Sequence, residues 1–184
     1  MEDKAYFDSI PWCSQLVNAP NITFTPADMR VCKDNTRDSL LAETMKTPDT
    51  ISHWSMFHEK PTPNSARINQ LNSLITFGSA LNGYPGVAHG GVVATVLDET
   101  LGRLVVMNKE GGGIPDIGVI VTGNLNITYL RPVTTPQTVL VSAFFKEIKG
   151  RKVSVHATVK DGSGATLAKA ESLWLGVQSP KEKL

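Results

Sequence analysis

In the stretch HGGVVATVLDETLG, His89 to Gly102, two glycines stand where a helix would begin and an aspartate stands in its middle. The first turn of a helix leaves backbone N–H groups without partners and carries a partial positive charge. Gly90 and Gly91 have no Cβ, so an oxygen gathering negative charge can come close to those amides. Asp98, eight residues after Gly90, is a carboxylate among apolar neighbours, which is costly unless it is solvated or paired. Positions 94, 98 and 102 stack on one helix face. Ala94 and Gly102 are small, which leads to the expectation of open space around the carboxylate. Together these residues could stabilise an oxygen gathering negative charge at the helix start and hold a carboxylate next to water or substrate further along. The plainer alternatives are glycines that allow tight packing and an aspartate that caps a neighbouring backbone.

Gly90 and Asp98 lie about 12 Å apart along an ideal helix, too far to act on one carbonyl. Two antiparallel copies of the helix, each supplying one end, would bring such groups together. The spacing therefore predicts a homodimer with two composite sites, and leaves tetramers or hexamers of such dimers open. His89, just before the glycines, reads as a group that orients or caps the loop more readily than one that moves a proton. Glu99 stands four residues before Arg103, where an i,i+4 ion pair is the simplest account, and beside Asp98, where it is a candidate substrate contact. No metal centre is expected, because His53, His58, His89 and His156 match no ligand spacing. There is no GxSxG elbow, and GGGIPD from Gly111 lacks the lysine of a phosphate-binding loop.

These groups need a frame. The helix expected from Gly90 to about Met107 has Asp98, Glu99 and Arg103 as its charges, and apolar residues are spread around it. A helix apolar nearly all round must be buried. Before it, SLITFGSAL (Ser73 to Leu81) reads as a strand and NGYPG as a turn. After it, four strand candidates follow: GVIVTGNLNITYL, TVLVSAFFKEI, KVSVHATVK and ATLAKAESLWLGV. In the first of these, alternation puts Val119, Val121, Leu125, Ile127 and Tyr129 on one face, and Thr122, Asn124, Asn126 and Thr128 on the other. Strand, long helix and a four-stranded meander make an α+β architecture, a curved antiparallel sheet wrapped around one central helix, which is the hotdog fold. Residues 1–66 are expected to be an N-terminal helical extension, with helices around YFDSIPWCSQLVN, around DNTRDSLLAETMK and from Thr47, ended by HEKPTPNS. Residues 67–184 are expected to be the hotdog domain.

Composition limits the partners. Lys+Arg of 18 against Asp+Glu of 17 leaves a net charge of +1, which gives no footprint for nucleic acid and no polybasic membrane anchor. An anionic ligand must then be met by a few placed cations. Cys13 and Cys32 fit no metal or redox spacing and read as free thiols in a reducing compartment. The start, MEDKAYFDSI, has neither the apolar core of a secretory signal nor the basic, acid-poor character of a mitochondrial presequence. No apolar run approaches the ~20 residues of a membrane span. A cytoplasmic location is expected ahead of a mitochondrial one.

HGGVVATVLDETLG, together with TGNLNITYLRPV and EIKGRKVSV, resembles the PaaI-like branch of the hotdog acyl-coenzyme A thioesterases, in the 4HBT superfamily. It is similar to the eukaryotic group that includes the human carboxyl-terminal modulator protein, over about residues 70–177. The resemblance implies that the Gly90 amide, with Gly91 beside it, polarises a thioester carbonyl, and that Asp98 is the general base or nucleophile. It implies that Thr122 assists the water or the carboxylate. Coenzyme A would be held by Arg131 with Pro132, and by Arg151 with Lys152, with Asn124 and Asn82 as further contacts. Many relatives have an Asn or Gln several residues before HGG; here Gly83 aligns there, with Asn82 beside it, which puts a second carbonyl donor in doubt. No cofactor is implied, since coenzyme A is part of the substrate. The alternatives from other classes are a non-catalytic acyl-thioester binder, a hydratase or dehydratase of a biosynthetic pathway, and a regulatory interaction protein.

Overall fold

Val93, Val96, Leu97, Leu101, Leu104 and Val105 are all buried, which makes the helix that carries them, α3 (Gly90–Glu110), the centre of the fold. In the computed structural model, which describes residues 2–61 and 65–177, this helix lies against an antiparallel sheet. Before it come helices α1 (Glu2–Asp8) and α2 (Pro11–Val17) and strands β1 (Ile22–Thr25), β2 (Ile51–Glu59), β3 (Gln70–Phe77), β4 (Asn82–Tyr84) and β5 (Val87–Ala88). After it come β6 (Val119–Tyr129), β7 (Gln137–Lys149), β8 (Lys152–Lys160) and β9 (Thr166–Val177). Among the described residues the main sheet has seven strands in the order β1-β2-β3-β7-β8-β9-β6, and β4 and β5 form a separate pair. The α+β hotdog architecture is present, with an N-terminal helical extension.

Alternation explains the inner face. Val153, Val155, Ala157 and Val159 of β8 are buried, while the residues between them are partly exposed. Buried Asn108, in the last turn of α3, fixes the helix to the entry of β3. Its amide donates to Ile68 O and Leu104 O, both at 2.9 Å, and its Oδ1 accepts from Ile68 N at 2.8 Å. A buried amide satisfied on both sides in this way sets the height of the helix over the sheet.

The N-terminal segment differs from expectation in its second half. Its first helices are there, but it also supplies β1 and β2, and Thr47 opens a hydrogen-bonded turn to Thr50 rather than a helix. The run ISHWSMFHE after it sends Ile51, Trp54 and Met56 into the core and pairs with β3. Tertiary burial of an alternating strand outweighs the helix-start signal of Thr-Pro-Asp. DNTRDSLLAETMK forms only a single turn of π-helix, Leu40–Thr44. Of the HEKPTPNS segment, residues 62–64 lie outside the described residues, as do residues 178–184 of the domain expected from 67. α1 and α2 cover the outer face of the sheet, where Phe7, Cys13 and Val17 pack with Phe57 and Leu74. The chain then passes to the helix side, where Met29, Leu41 and Met45 join the main core. Buried Arg30 holds this crossing by donating to Leu41 O and Met45 O, both at 2.9 Å, and to Ile51 O.

The four strands after α3 do not form a simple meander. β6 crosses to the far edge and pairs with β9, not β7. This leaves β6 as an edge strand, with Val119 46% and Val121 40% exposed.

Candidate active site

α3 starts directly after β5, where His89 is extended (φ −62°, ψ 135°) and acts as N-cap. Its Nδ1 accepts a hydrogen bond from Gly91 N at 3.0 Å. The Gly90 N–H finds no acceptor among the described residues, so the helix offers one uncommitted amide at its positive end. Gly83 makes room for the cap, since a Cβ there would come within 2.7 Å of the His89 ring. Asn82 is committed nearby, its Oδ1 accepting from Thr135 Oγ1.

Tyr129 is a residue whose role the sequence did not give. Its hydroxyl donates to Gly90 O at 2.9 Å, and its ring packs 3.5 Å from where a Gly90 Cβ would stand. The absent side chain at Gly90 is therefore covered on one side by this chain's own tyrosine. The expected open space beside Asp98 is present as cavities that Asp98 and its small neighbours Ala94 and Gly102 line, although the Gly102 position itself is filled. Trp174 of β9 fills the place of the missing Gly102 side chain, and a Cβ at 102 would meet the indole at 2.5 Å.

Asp98 is half-buried in mid-helix, and its Oδ1 accepts from Thr122 Oγ1 at 3.0 Å. Burial raises its carboxyl above the ordinary aspartate value, and the Thr122 hydrogen bond pulls it partly back. Thr122 reaches Asp98 because β6 is bulged. Thr122 stands opposite Trp174 but Asn124 opposite Leu173, so Gly123 is an extra residue. The bulge reverses alternation along the strand. Thr122 shares the helix-facing side with Leu125 and Ile127, opposite Ser172 and Ala170, and Val119 and Val121 turn away. This corrects the face assignment made from strict alternation. Asn124 lies beyond the bulge, exposed and opposite outward-facing Leu173, away from Asp98.

Glu99 does not pair with Arg103. The Arg103 guanidinium donates instead to Asp28 at 3.0 Å, because the N-terminal segment brings Asp28 over this part of the helix. Glu99, left without a hydrogen bond among the described residues, is pushed up to about 7. Burial is the largest cause, followed by repulsion from Asp38 and Asp98, with Arg103 and Lys33 opposing. Asp98 and Glu99 both line two adjacent cavities, of about 430 Å³ and about 470 Å³.

The candidate cations are far apart within one chain. Arg131 stands at the end of β6, its backbone N–H on Leu167 O and its Nη1 on Thr166 O at 2.7 Å, with exposed Pro132 next to it. Arg151 and Lys152 lie at the opposite end of the sheet, where Lys152 pairs with Leu175. Gly90 is close to the Arg131 end through Tyr129, whereas Asp98 and Thr122 lie toward the other. Among the described residues no group of three His, Cys, Asp or Glu is placed to hold a metal ion. His53 instead stacks on Tyr6 and His156 on Phe144. Cys13 and Cys32 are both free, and burial pushes the Cys13 thiol up to about 12.

Known proteins match this frame. The profile of the Thioesterase superfamily matches residues 85–168. Verlamelin biosynthesis protein B of Lecanicillium sp is 25% identical over 99% of this chain and 91% of its own length. Acyl-coenzyme A thioesterase THEM4 of Mus musculus is 32% identical over 70% of this chain, and the match spans 50% of that protein. The chain thus spans about half the length of the THEM4 relatives it matches. The structure of the E. coli PaaI protein superposes with a TM-score of 0.53 at 13% identity, covering 60% of this chain and 74% of that one, a likeness of fold. The chain carries a thioesterase-superfamily domain of hotdog form, related to the THEM4 group of acyl-coenzyme A thioesterases.

Proposed function

We propose that the protein hydrolyses an acyl-coenzyme A thioester to the free acid and coenzyme A, in a homodimer whose two sites are each shared between subunits. The observation that carries this reading is the division of α3 into two chemical ends. Gly90 presents at the helix start an N–H without an acceptor among the described residues, and Asp98, oriented by Thr122, presents a carboxylate about 12 Å further along. An antiparallel second copy puts one helix start beside the other copy's Asp98. The edge strand β6, with its exposed Val119 and Val121, supports such a pairing.

In this site the Gly90 N–H and the helix dipole stabilise the oxygen of the thioester carbonyl as it gains charge. His89 holds the first turn in shape by taking up the Gly91 N–H. Asp98 either removes a proton from the attacking water or attacks the carbonyl carbon itself. Direct attack forms a mixed anhydride that water then hydrolyses to the acid and the free carboxylate. In both routes the coenzyme A thiolate leaves. Thr122 fixes the carboxylate and leaves its second oxygen for the reaction. Arg131 from one subunit and Arg151 with Lys152 from the other, which a single chain holds at opposite ends of the sheet, can both approach one coenzyme A. No further cofactor is called for.

The test is free-thiol release from short, medium, long and aromatic acyl-coenzyme A esters, with Asp98→Ala beside the wild type and the mass in solution measured for both. Turnover that falls by about 10³-fold or more in a folded, dimeric variant supports the reading. An inactive wild type, or a variant as active as the wild type, overturns it.

A further inference from the structure

Asp98 opens onto two cavities whose walls differ in chemistry. The one of about 430 Å³ is lined mostly by charged side chains, among them Asp28, Lys33, Arg37 and Arg103. The one of about 470 Å³ has an apolar wall, made of Ala94 of α3, Leu125 of β6, and Leu40 and Leu41 of the N-terminal segment. Of its polar members, Thr95 donates to Gly91 O at 2.9 Å and Asp38 is paired with Lys33, so an apolar occupant strands neither. Glu99, pushed up to about 7 chiefly by burial, carries only part of a charge at neutral pH.

The wall from the N-terminal segment is braced. Asp38 takes a left-handed conformation (φ 62°), and its carbonyl accepts from Leu41 N at 3.0 Å and Ala42 N at 2.8 Å. Buried Arg30 donates to the Leu41 carbonyl at 2.9 Å. Leu41 enters the main core, while Leu40, the residue before it, is left 52% exposed at the cavity. A leucine held half in water beside the Asp98 carboxylate suits an occupant that is itself apolar. The geometry of the substrate names that occupant. The thioester carbon must reach Asp98 or its water, so the acyl chain continues from there into one of the two cavities. In the charged one a methylene chain would strip water from ions and replace it with nothing. In the other it covers Leu40.

We propose that Leu40 is the specificity-determining residue of an acyl groove, in which the chain of the substrate runs from Asp98 along Ala94 and Leu125 and is bounded by Leu40 and Leu41. The proposal rests on the thioesterase reading. It gives a share in substrate choice to a segment outside residues 85–168, the part matched by the superfamily profile.

The full chain is assayed for thiol release on acetyl-, hexanoyl- and decanoyl-coenzyme A, as wild type and as Leu40→Met, Leu40→Asp and Leu40→Trp. The mass in solution is measured for each. Calorimetry follows the binding of ethyl- and decyl-coenzyme A, thioethers that cannot be hydrolysed. Wild type is expected to favour decanoyl over acetyl in kcat/KM by about tenfold or more. Leu40→Met, close in volume, keeps that ratio. Leu40→Asp brings it to about one, and Leu40→Trp shifts the preference to hexanoyl. A wild-type ratio near one, or a ratio unchanged in both Leu40→Asp and Leu40→Trp, overturns the groove and leaves the hydrolase. A ratio lost only together with the dimer makes Leu40 a subunit contact, and this too overturns the groove. No turnover, with decyl bound tighter than ethyl by wild type but not by Leu40→Asp, overturns the hydrolase and keeps the groove. Neither turnover nor a difference in binding overturns both. Should Leu40→Asp not fold, Leu40→Trp and the wild-type series decide.

Discussion

Thr122 donates a 3.0 Å hydrogen bond to Asp98, and it does so from a strand position that strict alternation would turn away from the helix. This contact lowers the carboxyl that burial raises. In the proposed mechanism Asp98 acts as the carboxylate, so activity is expected to rise as pH climbs through its pKa. In Thr122→Val the lowering contact is gone, and the acid limb of the pH–kcat/KM profile moves to higher pH. The rate above the limb falls by about tenfold with the loss of orientation. A profile of unchanged position would separate Thr122 from the carboxylate.

Glu99 gives a pH signature in stability. Its pKa is pushed up to about 7 from the ordinary 4.5. Between those values the unfolded chain ionises first, so this group lowers stability as pH rises from about 4.5 to about 7. Glu99→Gln removes that slope and is expected to be the more stable protein at pH 7, by up to about 3 kcal/mol. Urea unfolding of both proteins at pH 5 and pH 7.5 checks this. An equal difference at both values would contradict it.

Gly102 is occupied territory. An exposed helix glycine changed to alanine gains about 1 kcal/mol. Here the new methyl meets the buried Trp174 indole at 2.5 Å, and Gly102→Ala is expected to lose about 1–3 kcal/mol instead. Thermal melting gives the sign directly.

Asn108 is the test far from the site. Asn108→Ala leaves the Ile68 N–H and C=O without partners, as well as removing the amide. A loss of about 3 kcal/mol or more is expected. Equilibrium unfolding measures it, and a change below 1 kcal/mol would show that water replaces the amide.

Much of this was legible in the sequence, and the failures share a cause. The buried helix, its capped glycine start and the positions of the last four strands follow from local pattern and burial. β2 was missed because Thr-Pro-Asp is a sound helix start, and only pairing with β3 gives the next residues a better use. The faces of β6 were misread because one extra residue, Gly123, reverses the alternation, and a bulge depends on the register of the neighbouring strand. The expected Glu99–Arg103 pair gave way to Asp28, more than seventy positions away in sequence. Tyr129 was visible as an apolar-face residue, but its contact with Gly90 O needs the end of β6 to come back over the start of α3.

The helices α1 and α2 lie on the outer face of β1, β2, β3 and the start of β7. Quaternary contacts that stack two sheets back to back therefore have only β8, β9 and the rest of that face available. This half carries Ser154, His156, Thr158, Lys169 and Glu171, whose burial in such a stack would cost free energy unless each found a partner, and, toward the start of β6, the apolar Val119, Val121, Leu173 and Leu175. The extension thus acts as a spacer that keeps the β1–β3 half of the outer face out of any back-to-back stack and leaves only the β8–β9–β6 half for one.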